Sequence, residues 1–174
     1  VSLFDAETLF KKHLDAGFDI IYVGFSSGIS GSYENMKRLS DRLAQEYPER
    51  RIKAIDSLTA CGSQGILTYV AAKAKKEGKS FDEVAETVER SVPNIQTLFL
   101  VDDLTLIRKG GRISKLEALM SSMLGIKPVL RLNEQGKIAQ LDMSFGRKKS
   151  LKNIVEHFKR VVVIEDNDFI NVGH

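Results

Sequence analysis

The stretch Phe18 to Phe25 (FDIIYVGF) constrains this chain more than any other. A nearly unbroken apolar run of that length suits a strand buried on both faces, as in parallel sheets covered by helices. The Ser/Gly segment Ser26 to Ser32 follows it. Next come Tyr33, Met36, Leu39, Leu43 and Tyr47 at helical spacing, an apolar stripe on an otherwise polar helix. A strand, a tight loop and an amphipathic helix in that order make one step of an α/β sheet.

The pattern continues. Phe4 to Leu14 reads as a short helix ahead of the first strand. Arg51 to Ile55 (RIKAI) reads as a second strand ending in Asp56-Ser57. A helix from about Gln64 to Lys76 buries Ile66, Leu67, Val70, Ala71 and Ala74, with Gly78 able to cap its end. Ser80 and Glu83 form a capping box for a helix carrying Val84, Ala85 and Val88. Ile95 to Val101 is a third strand. The segments 18–25, 51–55 and 95–101 are therefore expected to lie parallel in one sheet.

Beyond residue 101 the pattern changes. Asp103 to Arg108 reads as a short helix closed by Gly110-Gly111, and Leu116, Leu119, Met120, Met123 and Leu124 mark another. Ile126 to Leu132 and Lys137 to Met143, joined by a turn at Asn133 to Gly136, read as a β-hairpin. Pro128 lacks a ladder donor, which predicts an edge strand. A helix with Leu151, Ile154, Val155 and Phe158 and a strand-like Phe169 to Val172 follow. The expected fold class is α/β: a parallel sheet flanked by helices, plus a second lobe containing a β-hairpin and helices. Residues 1–101 are assigned to the sheet domain and 102–174 to the second lobe.

Composition narrows the function classes. The 174 residues are 43% hydrophobic and 28% charged, an ordinary globular balance. A formal charge of +3 is too small to argue for nucleic acid, and no nucleic-acid motif appears. The one cysteine, Cys61, excludes an internal disulfide framework, makes the cytoplasm the expected compartment, and reads as a small buried residue. Apolar stretches fall far short of the ~20 residues that span a bilayer. His13, His157 and His174 show no metal-ligand spacing, and no metal is expected. Walker, dinucleotide and nucleophile-elbow motifs are missing, and Asp166-Asn167-Asp168 lacks the rest of a calcium loop. A chain opening at Val1 and stopping at Gly173-His174 is expected to be a piece of a longer protein.

Four segments could carry chemistry. Ser26 to Ser32 lies at the carboxyl end of a buried strand, where open α/β sheets bind ligands. Unpaired amides of the helix start and the serine hydroxyls would suit a carboxylate or a phosphate equally, while Ser30 or Ser32 could simply cap the helix. Asp56-Ser57, with Thr59 and the small run to Gly65, could face the same crevice. Asp102-Asp103 could hold a metal or act in acid–base chemistry, but capping a helix is the commoner role. Arg112, aimed by Gly110-Gly111, could bind an anion or dock a partner, and Arg147-Lys148-Lys149 opens a helix as a solvated face.

Five blocks in order, SSGISGSYENM from Ser26, DSLTACGSQG from Asp56, VDDLTLIRKGGRIS from Val101, LGIKPVLRLNEQGKI from Leu124 and FGRKK from Phe145, resemble the DegV family. The resemblance implies a two-domain α/β protein with a fatty acid buried between the domains. It implies a carrier rather than an enzyme, one that presents a long-chain fatty acid carboxylate to a separate ATP-dependent fatty-acid kinase subunit for acyl-phosphate formation. Ser30 matches the family's carboxylate-binding serine, with Ser27 beside it, and Ser2 stands where the family carries a threonine donor. The family's amino-terminal strand with Thr-Asp-Ser and its carboxyl-terminal histidine have no counterpart here, and His174 falls too early to be that histidine. Arg112 and Arg147 are assigned to docking the kinase partner. No cofactor beyond the bound fatty acid is implied, and a monomer is expected. A lipid of about 16 carbons gains roughly 0.8 kcal/mol per buried methylene, so an apolar wall such as Leu116, Leu119, Met120, Met123 and Leu124 would supply most of the affinity. Two other function classes stay open: a small phosphotransferase or hydrolase using Ser26–Ser32 and Asp102-Asp103, and a protein–protein adaptor with structural lipid.

Overall fold

A computed structural model of the chain describes residues 2–101, 107, 109–112, 127–163 and 170–173. The chain forms two compact units, Val1–Ile95 and Gln96–His174.

In the first unit, helix α1 (Leu3–Asp15) leads through a tight turn into strand β1 (Ile20–Gly24), helix α2 (Ser32–Glu46) and strand β2 (Ile52–Asp56). Helices α3 (Cys61–Lys76) and α4 (Phe81–Ser91) and a 3-10 turn at Val92–Asn94 complete it. The expected boxes and stops are present. Ser80 and Glu83 cap α4 reciprocally. The ends of α1 and α3 are closed by Gly17 (φ +88°) and Gly78 (φ +85°), whose left-handed backbone lets the next residues bond back onto the last turn.

Strands β1 and β2 pair in parallel from Ile20↔Ile52 to Gly24↔Asp56. The apolar run of β1 is continuous because each face meets a different core. Ile20 and Tyr22 pack with Phe10, Leu14, Leu39 and Leu43 of α1 and α2. Ile21 and Val23 pack with Leu67, Ala85 and Val88 of α3 and α4. Side-chain alternation along the strand thus feeds two buried layers. Helices α1 and α2 run parallel, as Glu7–Arg42 (2.7 Å) and Lys11–Glu46 (3.0 Å) share one sequence offset of 35.

The second unit contains an antiparallel sheet of β3 (Leu98–Phe99), β4 (Val129–Leu132) and β5 (Ile138–Asp142), in that order, and helix α5 (Arg147–Val161). Three strand expectations are corrected here. The segment near 95–101 does not join β1 and β2; Leu98 and Phe99 pair antiparallel with Arg131 and Leu130. The 3-10 turn at Val92-Pro93-Asn94 precedes this change of sheet, and Phe99, Val101, Ile107 and Ile138 gather around the fully buried Leu130. An apolar period specifies a buried face but not which sheet provides it. Nor is β4 an edge strand: it lies in the middle, with Pro128 just outside the ladder and Lys127 donating its N–H to the Ser144 carbonyl at 2.9 Å. The hairpin turn is held by the Asn133 side chain, which accepts the N–H groups of Gln135 (3.0 Å) and Lys137 (2.9 Å). Ile170 to Val172 form no strand. The helix expected at 116–124, and that at 103–108 apart from a helical Ile107, lie outside the described residues. The α/β class holds.

Candidate functional site

Gly24 and Asp56 end the two parallel strands side by side, and each strand passes through a short loop into a helix. This is the carboxyl edge at which open α/β sheets place their ligands. The two loops are stitched to each other. The Ser26 N–H donates to the Thr59 carbonyl at 2.9 Å, and the Ser57 N–H donates to the Gly24 carbonyl at 3.2 Å. Ser26 and Ser57 are buried completely or nearly so, and their hydroxyls serve the loops themselves. The Ser26 hydroxyl accepts the Gly28 N–H at 3.1 Å. That of Ser57 accepts the Thr59 N–H and donates to the Thr59 carbonyl, both at 3.1 Å.

Asp56 joins the same knot. One of its carboxylate oxygens accepts both the Ser27 N–H (3.2 Å) and the Leu58 N–H (3.0 Å). The Ser26 carbonyl accepts the Ile29 and Ser30 N–H groups, and the Ser30 hydroxyl accepts the Ser32 N–H at 3.2 Å. Within the loop, the N–H groups of Ser26, Ser27, Gly28, Ile29, Ser30 and Ser32 donate to protein acceptors, while α2 itself starts at its N-cap Gly31 with no side-chain cap. Ser27 is exposed and Ser30 half-buried, with the Ser30 and Ser32 hydroxyls 3.0 Å apart.

The floor of this edge is aromatic. A Cβ on Gly24 would lie 2.7 Å from the Tyr33 ring and 3.0 Å from that of Tyr22, so only glycine lets Tyr33 settle on the strand end. Burial, and then the charge of Asp56, push the Tyr33 phenol above its ordinary range, so it stays protonated at neutral pH.

The profile of the family described as "Uncharacterised protein, DegV family" matches residues 1–174. The chain belongs to the DegV family. It is 37% identical to a DegV domain-containing protein of Clostridium perfringens over 165 residues, 95% of this chain and 57% of that protein. The chain thus spans about half the length of the curated relatives it matches. The crystal structure of a fatty acid binding DegV family protein from Streptococcus agalactiae is similar with TM-score 0.79 and 31% identity, covering 92% of this chain and 56% of that one. A DegV family protein from Ruminococcus gnavus, refined with vaccenic acid, is similar with TM-score 0.80 and 27% identity, covering 88% and 56%.

The other residues singled out in this DegV chain fall in separate places. Ser2 caps α1: its hydroxyl accepts the Asp5 N–H at 3.1 Å and donates to the Asp5 carboxylate at 2.8 Å. By the offset of α1 against α2, Ser2 is level with residue 37, about 7–8 Å along α2 from its first residue. Ser27 and Ser30 share one loop, while Ser2 begins a different helix, α1. Arg112 is exposed in the turn after Gly110-Gly111, its guanidinium folded back onto the Gly110 carbonyl. Arg147 is exposed at the start of α5 beside exposed Lys148 and Lys149. Asp102, Asp103 and the wall residues Leu116 to Leu124 lie outside the described residues.

Cys61 is exposed, contrary to its reading as a buried residue. It is the first residue of α3 and turns the extended chain into the helix at φ +51°, which leaves its side chain outside the core. Among the described residues no group of His, Cys, Asp and Glu could hold a metal ion, and no helix is long and apolar enough to cross a membrane. Sequence reasoning missed the double acceptance by Asp56. It also missed the buried Ser144 and Ser150 and the half-buried Asn153, which tie α5 to the sheet: Ser150 donates to the Lys127 carbonyl and Asn153 to the Ser144 hydroxyl at 2.7 Å. Isolated serines inside a basic stretch carry no periodic signal.

Proposed function

We propose that this chain is part of a fatty-acid carrier that holds the carboxylate of a long-chain fatty acid at the serine loop and presents it to a separate kinase subunit. The observation that carries this reading is the place of the serine loop, at the carboxyl end of β1 beside that of β2 and at the start of α2. A phosphate cradle at a helix start works through several unspent backbone N–H groups. Here the amides from Ser26 to Ser30 are used within the protein, and Ser27 is exposed and Ser30 half-buried beside the uncapped start of α2. Serine hydroxyls at this edge suit one carboxylate, whose binding energy is supplied mainly by the buried acyl chain. The relatives described as fatty acid binding or refined with a fatty acid support the same ligand class. Carriage without catalysis, as a cytoplasmic monomer, completes the reading. Ser2, already engaged by Asp5, is assigned a secondary place at most.

In the intact protein, native mass spectrometry is expected to find a co-purified acyl chain. Ser30→Ala is expected to weaken fatty-acid binding by about 0.5–1.5 kcal/mol. Unchanged affinity in titration would remove Ser30 from the site. Arg112 and Arg147 are assigned to docking, because arginine's planar fork suits carboxylates on a partner and the head group already has hydroxyl donors. Charge-swapped variants at these two positions are expected to keep lipid and slow acyl-phosphate formation in the same assays. Loss of lipid with normal turnover per bound lipid would place the arginines at the ligand instead.

A further inference from the structure

The carboxylate of Asp56 raises a question that the carrier reading leaves open. A fixed negative charge beside a site for a negative head group is unfavourable by itself, so its presence calls for another role. Geometry supplies one. A single Asp56 oxygen receives the N–H of Ser27, from the loop after β1, and that of Leu58, from the loop after β2. It is the side chain through which the serine loop is fastened to the neighbouring strand end. The bond to the Leu58 N–H, two residues along, closes an Asx turn that ends on Leu58, a non-glycine residue at φ +51°. Bonds from backbone N–H to an ionised acceptor are about twice as strong as neutral ones. A carboxylate is therefore the acceptor that holds both loops most firmly.

We infer that Asp56 is the positioning residue of the head-group site, clamping the Ser27–Ser30 loop so that its hydroxyls are presented in a fixed arrangement. This rests on the reading that those hydroxyls bind a fatty-acid carboxylate. Asp56 acts through the loop and needs no contact with the lipid. An asparagine at the same place would keep an oxygen where both amides need it, and it would remove the charge that faces the ligand.

The test uses the intact protein, vaccenic acid as the probe, and hydrogen exchange of the Ser27 and Leu58 amides as a readout independent of ligand. Asp56→Ala is expected to lower affinity by about tenfold, the equivalent of roughly one hydrogen bond to a charged acceptor, and to speed exchange at both amides. Asp56→Asn is expected to stay within about threefold of the unsubstituted protein, with both amides still protected. The double variant Asp56→Ala with Leu58→Gly relieves the left-handed turn without restoring the Ser27 bond, which guards against simple misfolding. It is expected to bind as weakly as Asp56→Ala. Unsubstituted affinity in Asp56→Ala or in the double variant would overturn the clamp, as would weak binding by Asp56→Asn with its amides protected. Failure of the unsubstituted protein to take up vaccenic acid would overturn the carrier reading itself, and the clamp's purpose with it.

Discussion

The two units of this chain are built on opposite principles. Residues 1–95 form a parallel pair of strands covered on both faces, with separate cores formed by α1–α2 and by α3–α4. Residues 96–174 contain an antiparallel sheet whose described core centres on Leu130 amid half-buried neighbours. Charge divides along the same line. The first unit has 13 basic and 14 acidic residues, net −1, and the second has 13 basic and 9 acidic, net +4. The first unit ends its two strands side by side at Gly24 and Asp56. The second presents exposed cations at Arg112 and Arg147.

The sharpest way to break that comparison is to empty each core. Leu67→Ala removes a fully buried side chain enclosed by α3, α4 and both strands, and is expected to cost about 3–5 kcal/mol. Leu130→Ala, among neighbours free to close in, is expected to cost about 2–3 kcal/mol. Urea denaturation of both variants gives the ranking, and a reversed order would mean that the second unit is the better packed.

A smaller effect tests the stiffness of the strand end. Gly24→Ala places a methyl against the Tyr33 and Tyr22 rings and is expected to cost about 1–3 kcal/mol. Gly31→Ala, with nothing within 4 Å of its added carbon, is expected to change stability by less than about 1 kcal/mol. Equal costs would show that the floor of the site yields freely.

The smallest concerns helix starts. Two helices of the first unit, α1 and α4, begin with capping boxes, while α5 begins at Gly146 with no side-chain cap. Ser80→Ala is expected to cost about 1 kcal/mol at neutral pH. The Ser80 hydroxyl, and then its backbone N–H, hold the Glu83 carboxyl below the ordinary carboxylate range. A carboxyl depressed in the folded state stabilises above its unfolded pKa and loses that contribution as pH falls through the lowered value. The difference between Ser80→Ala and the unsubstituted protein should therefore narrow in acid. Thermal melts at neutral and acid pH read this directly, and a pH-independent gap would exclude the ionised box.

Much of this was legible along the chain. The run FDIIYVGF specified a strand buried on both faces because its side chains alternate between two apolar layers. The stripe from Tyr33 to Tyr47 gave α2, and Ser80 with Glu83 marked the start of α4. Local chemistry suffices for such features, since periodicity and caps act within a few residues. Pairing does not work that way. Whether Leu98 and Phe99 would join β1 and β2 or the hairpin depended on which distant apolar surface could receive them, and Leu130 decided it. The same limit applied to the serine loop, whose composition could not tell which of its amides are used within the protein. That was settled by partners such as Asp56 and Thr59, about 30 residues away, which share the loop's surroundings only because two parallel strands end side by side.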